Sequence, residues 1–299
     1  MTRSTQRRRI QRIRTDASGQ LRAEARADTL VGEEPLEIRL NGQSFAVTMR
    51  TPGHDFHMAA GFLVSEGIIT RQSEILRMDY RSGINAEGTR DYNVVDVRLD
   101  PAVAARAETK RREVYTSSSC GVCGTASIDG VLKVSPYEPL TDPLVVELPM
   151  VLGLPAALRS QQRLFSSTGG VHAAALFRIS PQADDDGAAP GEPELLCVRE
   201  DVGRHNAVDK VVGWALEHNL LPLEATVLQV SARASFELVQ KAVMAGIPVM
   251  SAVSAPSALA VDVADRTGLT LVGFNRGDGA NVYTGAQRIR LTTPDESEL

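Results

Sequence analysis

Cysteine is scarce in this sequence: 299 residues hold three, Cys120, Cys123 and Cys197. One copy therefore cannot supply the four thiolates of an iron–sulfur cluster. A structural zinc site commonly takes four cysteine or histidine ligands. Here it would have to join all three cysteines to one of five scattered histidines, with no local ligand spacing. An H-x-E triplet is missing as well, since the histidines head HDF, HMA, HAA, HNA and HNL. Zinc deaminases of nucleobases use H-x-E followed by P-C-x-x-C, and Ser119 rather than proline precedes Cys120. Deamination would lack its general base and is excluded.

Excess positive charge is also absent. A formal net charge of -5 argues against general nucleic-acid binding, which needs a broad basic surface. No apolar stretch is long enough to span a bilayer. No apolar run follows the arginines of the N-terminus, so a secretory signal is not expected. The expected compartment is the cytoplasm, where thiols stay reduced. That argues against a structural disulfide between Cys120 and Cys123. No internal repeat is visible.

What is present is an ordinary globular composition, 43% hydrophobic and 23% charged, with a length suited to one large domain or two smaller ones. Residues 1–32, which carry Arg3, Arg7, Arg8, Arg9, Arg12 and Arg14, read as a flexible leader. Residues 33–145 read as a β-rich part ending with the cysteine loop, residues 146–292 as an α/β part, and residues 293–299 as an acidic tail. In the first part, Leu36, Ile38 and Leu40 alternate with polar residues, as do Phe45, Val47 and Met49. Asn41-Gly42 between them predicts a two-residue hairpin turn. Apolar spacing predicts a helix over 54–66, and 92–99 reads as a strand. In the second part, strands at 226–230, 247–253 and 269–274 alternate with helices at 205–218, 236–244 and 257–265. This grammar predicts parallel β-α-β units. The polar stretch 183–191 reads as a surface insertion.

The two close cysteines lie in "SSSCGVCG", residues 117–124. Glycine and serine neighbours do not build a core, which argues against two buried structural thiols. A thioredoxin-type dithiol wants C-x-x-C at a helix start. This pair follows a charged segment instead, so oxidoreductase chemistry stays open without being favoured. A sulfur carrier needs an accessible thiolate, which backbone N–H groups and nearby cations favour. Gly121 and Gly124 let partners approach the backbone, and the second cysteine could stabilise a persulfide or resolve it by exchange.

Polar groups collect at the strand ends of the second part, where α/β sheets bind ligands. "REDVGRHNAVDK" (199–210) reads as a ligand site or as a salt-bridged helix cap. Arg233, in "SARAS", could meet an anionic group, and the loop Asn275-Arg276-Gly277-Asp278-Gly279 reads either as a phosphate-holding loop or as a plain turn. His172, after "SSTGGV", reads either as an orienting or proton-handling group or as a satisfied structural residue.

Taken together, "EEPLEIRLNG", "AAGFLVSEGII", "CGVCG", "GGVHAAALF", "EDVGRHNAVDK", "SARASFELVQKA", "AVSAPSALAVDVADRTGLTLVGF" and "VYTGAQRI" resemble the formate dehydrogenase accessory protein family (FdhD), over roughly residues 33–289. The resemblance implies a sulfur carrier that takes sulfur from a cysteine desulfurase. It would pass this sulfur to the bis(molybdopterin guanine dinucleotide) molybdenum cofactor of formate dehydrogenase. It implies a persulfide on Cys120 with Cys123 as partner, and cofactor binding by Phe274, Asn275, Arg276, Gly277, Asp278 and Gly279. It also implies a cytidine-deaminase-like α/β layer in the C-terminal half beside a smaller β-rich α+β part, a homodimer, and no permanent metal. Because such a cofactor carries several phosphate charges, Arg276, Arg233, Arg204 and Lys210 are expected around it, with His172 nearby. The alternatives are a non-catalytic cofactor-binding chaperone and a zinc-dependent nucleotide hydrolase.

Overall fold

The computed structural model describes residues 3–81, 83–84, 90–114, 133–137, 139–180 and 192–291. Cys120, Cys123, the insertion 183–191 and the tail 293–299 lie outside the described residues. The elements of the first half are β1 (Thr5–Thr15), β2 (Leu21–Val31), β3 (Glu34–Leu40), β4 (Gln43–Arg50), α1 (Asp55–Ser65), β5 (Ile75–Tyr80), β6 (Gly83–Ile84), β7 (Arg90–Asp91), β8 (Val94–Leu99) and α2 (Pro101–Val114). The second half holds β9 (Val146–Glu147), α3 (Leu148–Gln161), α4 (Arg163–Thr168), β10 (His172–Arg178), β11 (Glu194–Asp201), α5 (Arg204–Glu217), β12 (Thr226–Val230), α6 (Phe236–Met244), β13 (Val249–Ala252), α7 (Ala258–Thr267), β14 (Thr270–Gly273), β15 (Asn281–Thr284) and β16 (Ile289–Arg290).

The segment expected to be a flexible leader is instead an antiparallel hairpin, β1 with β2, in a register of eleven pairs. Its turn explains why it closes. Asp16 Oδ1 accepts from the backbone N–H groups of Ser18 (2.9 Å) and Gln20 (3.1 Å), and Gly19 takes the left-handed φ of 82°. An aspartate that bonds its own backbone two residues on is a turn former. Arginines on both faces hid the alternation of period two.

The hairpin expected at Asn41-Gly42 is present as β3 with β4. Asn41 and Gly42 both have positive φ, 50° and 84°, as the favoured two-residue turn requires. A four-stranded sheet, order β4-β3-β8-β5, follows from it. The second sheet has six strands in the order β11-β10-β12-β13-β14-β15. Only its centre is parallel, β12 with β13 and β13 with β14. β10, β11 and β15 run antiparallel to their neighbours, so the sheet is mixed.

Strand alternation divides the core in two. Ala174, Leu176, Leu228, Val230, Met250 and Leu271 face a cluster that includes residues of α1, α5, α6 and α7 together with Leu36, Ile38, Val95 and Val97 of the four-stranded sheet. Ala173, Ala175, Phe177, Val227, Val249 and Val272 face Val151, Leu154 and Leu158 of α3. One buried cluster thus joins residues of both halves. Its tightest contact is between α1 and α5, where a Cβ at Gly61 would lie 1.8 Å from the Asp209 carbonyl oxygen. Among the described residues, no helix is long and apolar enough to cross a membrane.

Candidate functional site

The ends of β12, β13 and β14 open onto one edge of the six-stranded sheet, joined by the start of β10 and the end of β11. Backbone hydrogen bonds lace the loops of this edge together. Val253 N–H donates to Val230 O (3.3 Å), Ala234 N–H to Ala255 O (3.2 Å), Ser257 N–H to Ala234 O (3.0 Å) and Phe274 N–H to Ser254 O (3.3 Å). Ser231 Oγ accepts from Ala173 N–H at 2.9 Å, fastening the β12 end to the β10 start. His172, Arg204, Arg233 and the segment Phe274–Gly279 all belong to this edge, where α5, α6 and α7 also begin.

The residues of that segment divide into anchors and exposed groups. Asn275 is fully buried, and its Nδ2 donates to Val151 O (2.7 Å) and Ser251 Oγ (2.9 Å). Its side chain therefore ties the loop to α3 and β13 rather than reaching outward. Phe274 is 37% exposed with φ 51°, and the Arg276 guanidinium lies 5.6 Å from its ring centroid. Gly277, with φ 98°, supplies the turn that brings Arg276 N–H to Gly279 O at 3.3 Å. Asp278 and Arg233 are exposed.

Lys210 must be removed from the cations expected around a ligand. It is 1% exposed, and its Nζ donates to Asp201 Oδ2 (2.6 Å) and Thr51 O (2.9 Å). Asp201 accepts further from Thr51 N–H (3.1 Å), Gly203 N–H (2.8 Å) and Asn206 Nδ2 (3.1 Å). Asp209 is committed as well, to Ser65 Oγ (2.8 Å) and Lys241 Nζ (2.7 Å). This part of "EDVGRHNAVDK" locks α5 to the β4–α1 connection, which is the salt-bridged alternative. Arg204 is half-buried, beside His172.

His172 and His205 bring imidazoles to the edge. Burial holds His172 below its ordinary pKa, and the positive charges of Arg204 and His205 lower it further. His205 Nε2 lies 2.5 Å from Glu237 Oε2 and 3.4 Å from Ser235 Oγ. Burial alone would raise the Glu237 carboxyl, but the bond to His205 and nearby cations hold it below its ordinary value. A second histidine group, absent from the sequence expectations, braces α1 against α5 and β11. His57 Nε2 lies 2.6 Å from Glu217 Oε2, and Arg199 donates to His57 Nδ1 at 3.3 Å. His54, stacked on His57, is held down to about 4 by burial and the Arg199 charge.

The sequence reading also missed how residues 133–137 are held. Lys133 is the first described residue there, and Gln240 of α6 grips it twice. Lys133 N–H donates to Gln240 Oε1 and Gln240 Nε2 donates to Lys133 O, both at 3.0 Å. Ser135 Oγ donates to Val243 O (2.8 Å), and Lys133 Nζ reaches Glu66 (2.6 Å). One helix, α6, thus carries both this stem and Glu237 at the edge. Gln240 is 5% exposed, and a glutamine on the buried face of an amphipathic helix was the one available signal.

The third cysteine is chemically quiet. Cys197 is buried in β11, and burial pushes its thiol up to about 12.

A mixed six-stranded sheet with helices packed on it defines an α/β class of protein, in which ligands commonly bind at the strand ends. The FdhD/NarQ family model matches residues 31–290, and the chain belongs to this family. It is 55% identical to the sulfur carrier protein FdhD of Streptomyces coelicolor over 293 residues, covering 97% of this chain and 98% of that one. The protein of the same name from Mycolicibacterium paratuberculosis is 53% identical, covering 95% and 98%. That of Thermoplasma volcanium is 42% identical, covering 93% and 94%. Among solved structures, a Desulfotalea psychrophila protein assigned as a formate dehydrogenase accessory protein superposes with TM-score 0.65. It is 22% identical and covers 95% of this chain and 99% of that one.

Proposed function

We propose that this chain is a sulfur carrier for formate dehydrogenase maturation, with Cys120 as the sulfur-bearing residue. The observation that carries the reading is the division of its thiols. Cys197 is sealed in the core and held protonated, which leaves Cys120 and Cys123 for sulfur chemistry. The names of the relatives support the same role.

In this reading the Cys120 thiolate attacks the terminal sulfur of a cysteine desulfurase persulfide. The donor's S–S bond breaks, the donor leaves as a thiolate, and Cys120 holds the persulfide. Attack by the Cys123 thiolate on the Cys120 sulfur then releases sulfide and leaves a Cys120–Cys123 disulfide, which an external dithiol reduces. The acceptor is the bis(molybdopterin guanine dinucleotide) molybdenum cofactor, bound as substrate at the sheet edge. Arg233, Arg276 and Arg204 meet its phosphates, Asn275 anchors the loop that presents Arg276, and His172 stands beside them as a neutral imidazole. We further read the six-stranded sheet with its helices as a cytidine-deaminase-like layer, the protein as a homodimer, and its compartment as the cytoplasm.

Two experiments test this. Incubation with a cysteine desulfurase and cysteine is expected to add one sulfur atom to the wild type by mass spectrometry and none to Cys120→Ser. Cys120→Ser is also expected to abolish formate dehydrogenase maturation in cells. Full maturation by that variant would instead favour the non-catalytic chaperone. Arg233→Ala and Arg276→Ala are each expected to weaken guanosine diphosphate binding about tenfold, the value of one charge-assisted hydrogen bond, without lowering the melting temperature. Unchanged affinity in the double variant would remove the edge as the nucleotide site.

A further inference from the structure

The hairpin of β1 and β2 takes no part in the edge. It is a two-stranded sheet by itself, and an isolated ribbon of this kind is marginal in water. Its charge is opposite to that of the rest of the chain. Residues 1–31 hold eight of the 32 basic residues and three of the 37 acidic ones, leaving +5 there and -10 elsewhere. Gly32 N–H donates to Ser4 O (2.7 Å) and closes its root; its contact with the body is where β2 packs on α4 and Val31 lies against Gly170. Beyond the root, residues 6–9 and 21–27 are exposed. A strand of eleven residues spans roughly 35 Å, so the ribbon extends well past its root.

The register sorts its side chains into two unlike faces. One carries Arg8, Arg12 and Arg14 with Glu24 and Asp28, so its charges are mixed. The other carries Arg7, Arg9, Gln11 and Ile13 opposite Thr29, Ala27, Ala25 and Ala23, with Leu21 beside the turn. This second face has no carboxylate. Ile13 is 64% and Leu21 76% exposed, and Arg7 and Arg9 form no ion pair among the described residues.

A complementary surface exists on the body of the same chain. The outer face of α7 presents Leu259 (41% exposed), Asp262 and Asp265, with Arg266 at the helix end. Neither aspartate is ion-paired among the described residues. Arginines two apart on a strand are separated by about 7 Å, and carboxylates three apart on a helix by about 5–6 Å, so two pairs can form at once. Ala25 and Ala27, paired with Gln11 and Arg9, would then lie nearest Leu259.

We infer that the acid-free face of the hairpin docks on the α7 outer face of a second copy of this chain. The inference rests on the homodimer reading above and adds to it the surface that holds the copies together. Charge complementarity selects a second copy over nucleic acid, whose phosphates the acidic body would repel.

Sedimentation equilibrium of the full chain tests it, at about 50 mM and 300 mM salt, where screening differs strongly. The wild type is expected to associate, and more weakly at the higher salt. Arg7→Glu/Arg9→Glu is expected to raise the dissociation constant roughly tenfold or more. Combining it with Asp262→Arg/Asp265→Arg is expected to restore association, a rescue that a misfolded hairpin could not give. A wild-type dimer whose dissociation constant the arginine reversal leaves unchanged would overturn the hairpin surface while leaving the dimer in place. Absence of rescue would overturn α7 as the receiving face. A wild type monomeric at both salts would overturn the dimer reading too. Duplex DNA binding lost in the arginine variant, with self-association unaffected, would reassign the hairpin to nucleic acid. Sulfur loading of Cys120, measured on the same samples, reports on the sulfur-carrier reading independently of association.

Discussion

Replacing Lys210 by methionine is expected to destabilise the protein by about 3–5 kcal/mol, the cost of stranding one partner of a buried ion pair. Lys210 and Asp201 are 1% and 0% exposed, with 2.6 Å between Nζ and Oδ2. Burial lowers the Lys210 pKa, and the Asp201 charge and hydrogen bond oppose that lowering. With the cation gone, Asp201 keeps its three N–H donors but has no counter-charge, and Thr51 O loses its donor. The double variant Lys210→Met/Asp201→Asn is expected to lose less than the single one, because no charge is then stranded. Urea unfolding midpoints of the three proteins decide the matter. A single variant within about 1 kcal/mol of wild type would mean that water reaches Asp201 and that the pair is no lock.

Gly213→Ala is expected to cost about 3 kcal/mol or more, at the upper end for overpacking. The added Cβ would lie 1.8 Å from His57 O and 2.8 Å from Gly61 N. Both are backbone atoms, so no side-chain rotation relieves the clash and α1 must move away from α5. That movement would also pull apart the His57–Glu217 pair at 2.6 Å and the Ser65–Asp209 bond at 2.8 Å. Gly153→Ala in α3 is the control. Its Cβ meets nothing within 4 Å, and alanine is the better helix former by up to about 1 kcal/mol. Thermal melting should therefore separate the two, with Gly213→Ala falling sharply and Gly153→Ala unchanged or raised. Equal melting temperatures would show that the helices separate at little cost.

Both experiments probe contacts that no local pattern announces. Periodicity was enough for β12, α6, β13, α7 and β14, because each is buried on a regular face and its apolar residues must recur at the matching interval. Asn41-Gly42 was enough for its hairpin, because few residue pairs accept positive φ twice. The family was legible too, carried by motifs that run through most of the chain. The first hairpin was not, since its alternation is written in arginines and alanines rather than in apolar residues. Lys210 looked like a cation for a ligand, and only the approach of Thr51, 159 residues away in sequence, shows that it is a buried lock. The sequence reading does not single out Gln240, and only the fold brings Lys133 against its amide.

The sequence by itself determined the elements whose apolar residues recur on a regular face and the family the chain resembles. Tertiary structure decided which polar groups remain available: Arg233 and Arg276 stay exposed, whereas Lys210 and Asn275 are turned inward. The reason is physical. Secondary structure follows from neighbours a few residues apart. Whether a charged group meets a ligand or a counter-ion depends on what distant segments place beside it, and desolvation makes an unpaired answer too costly to persist.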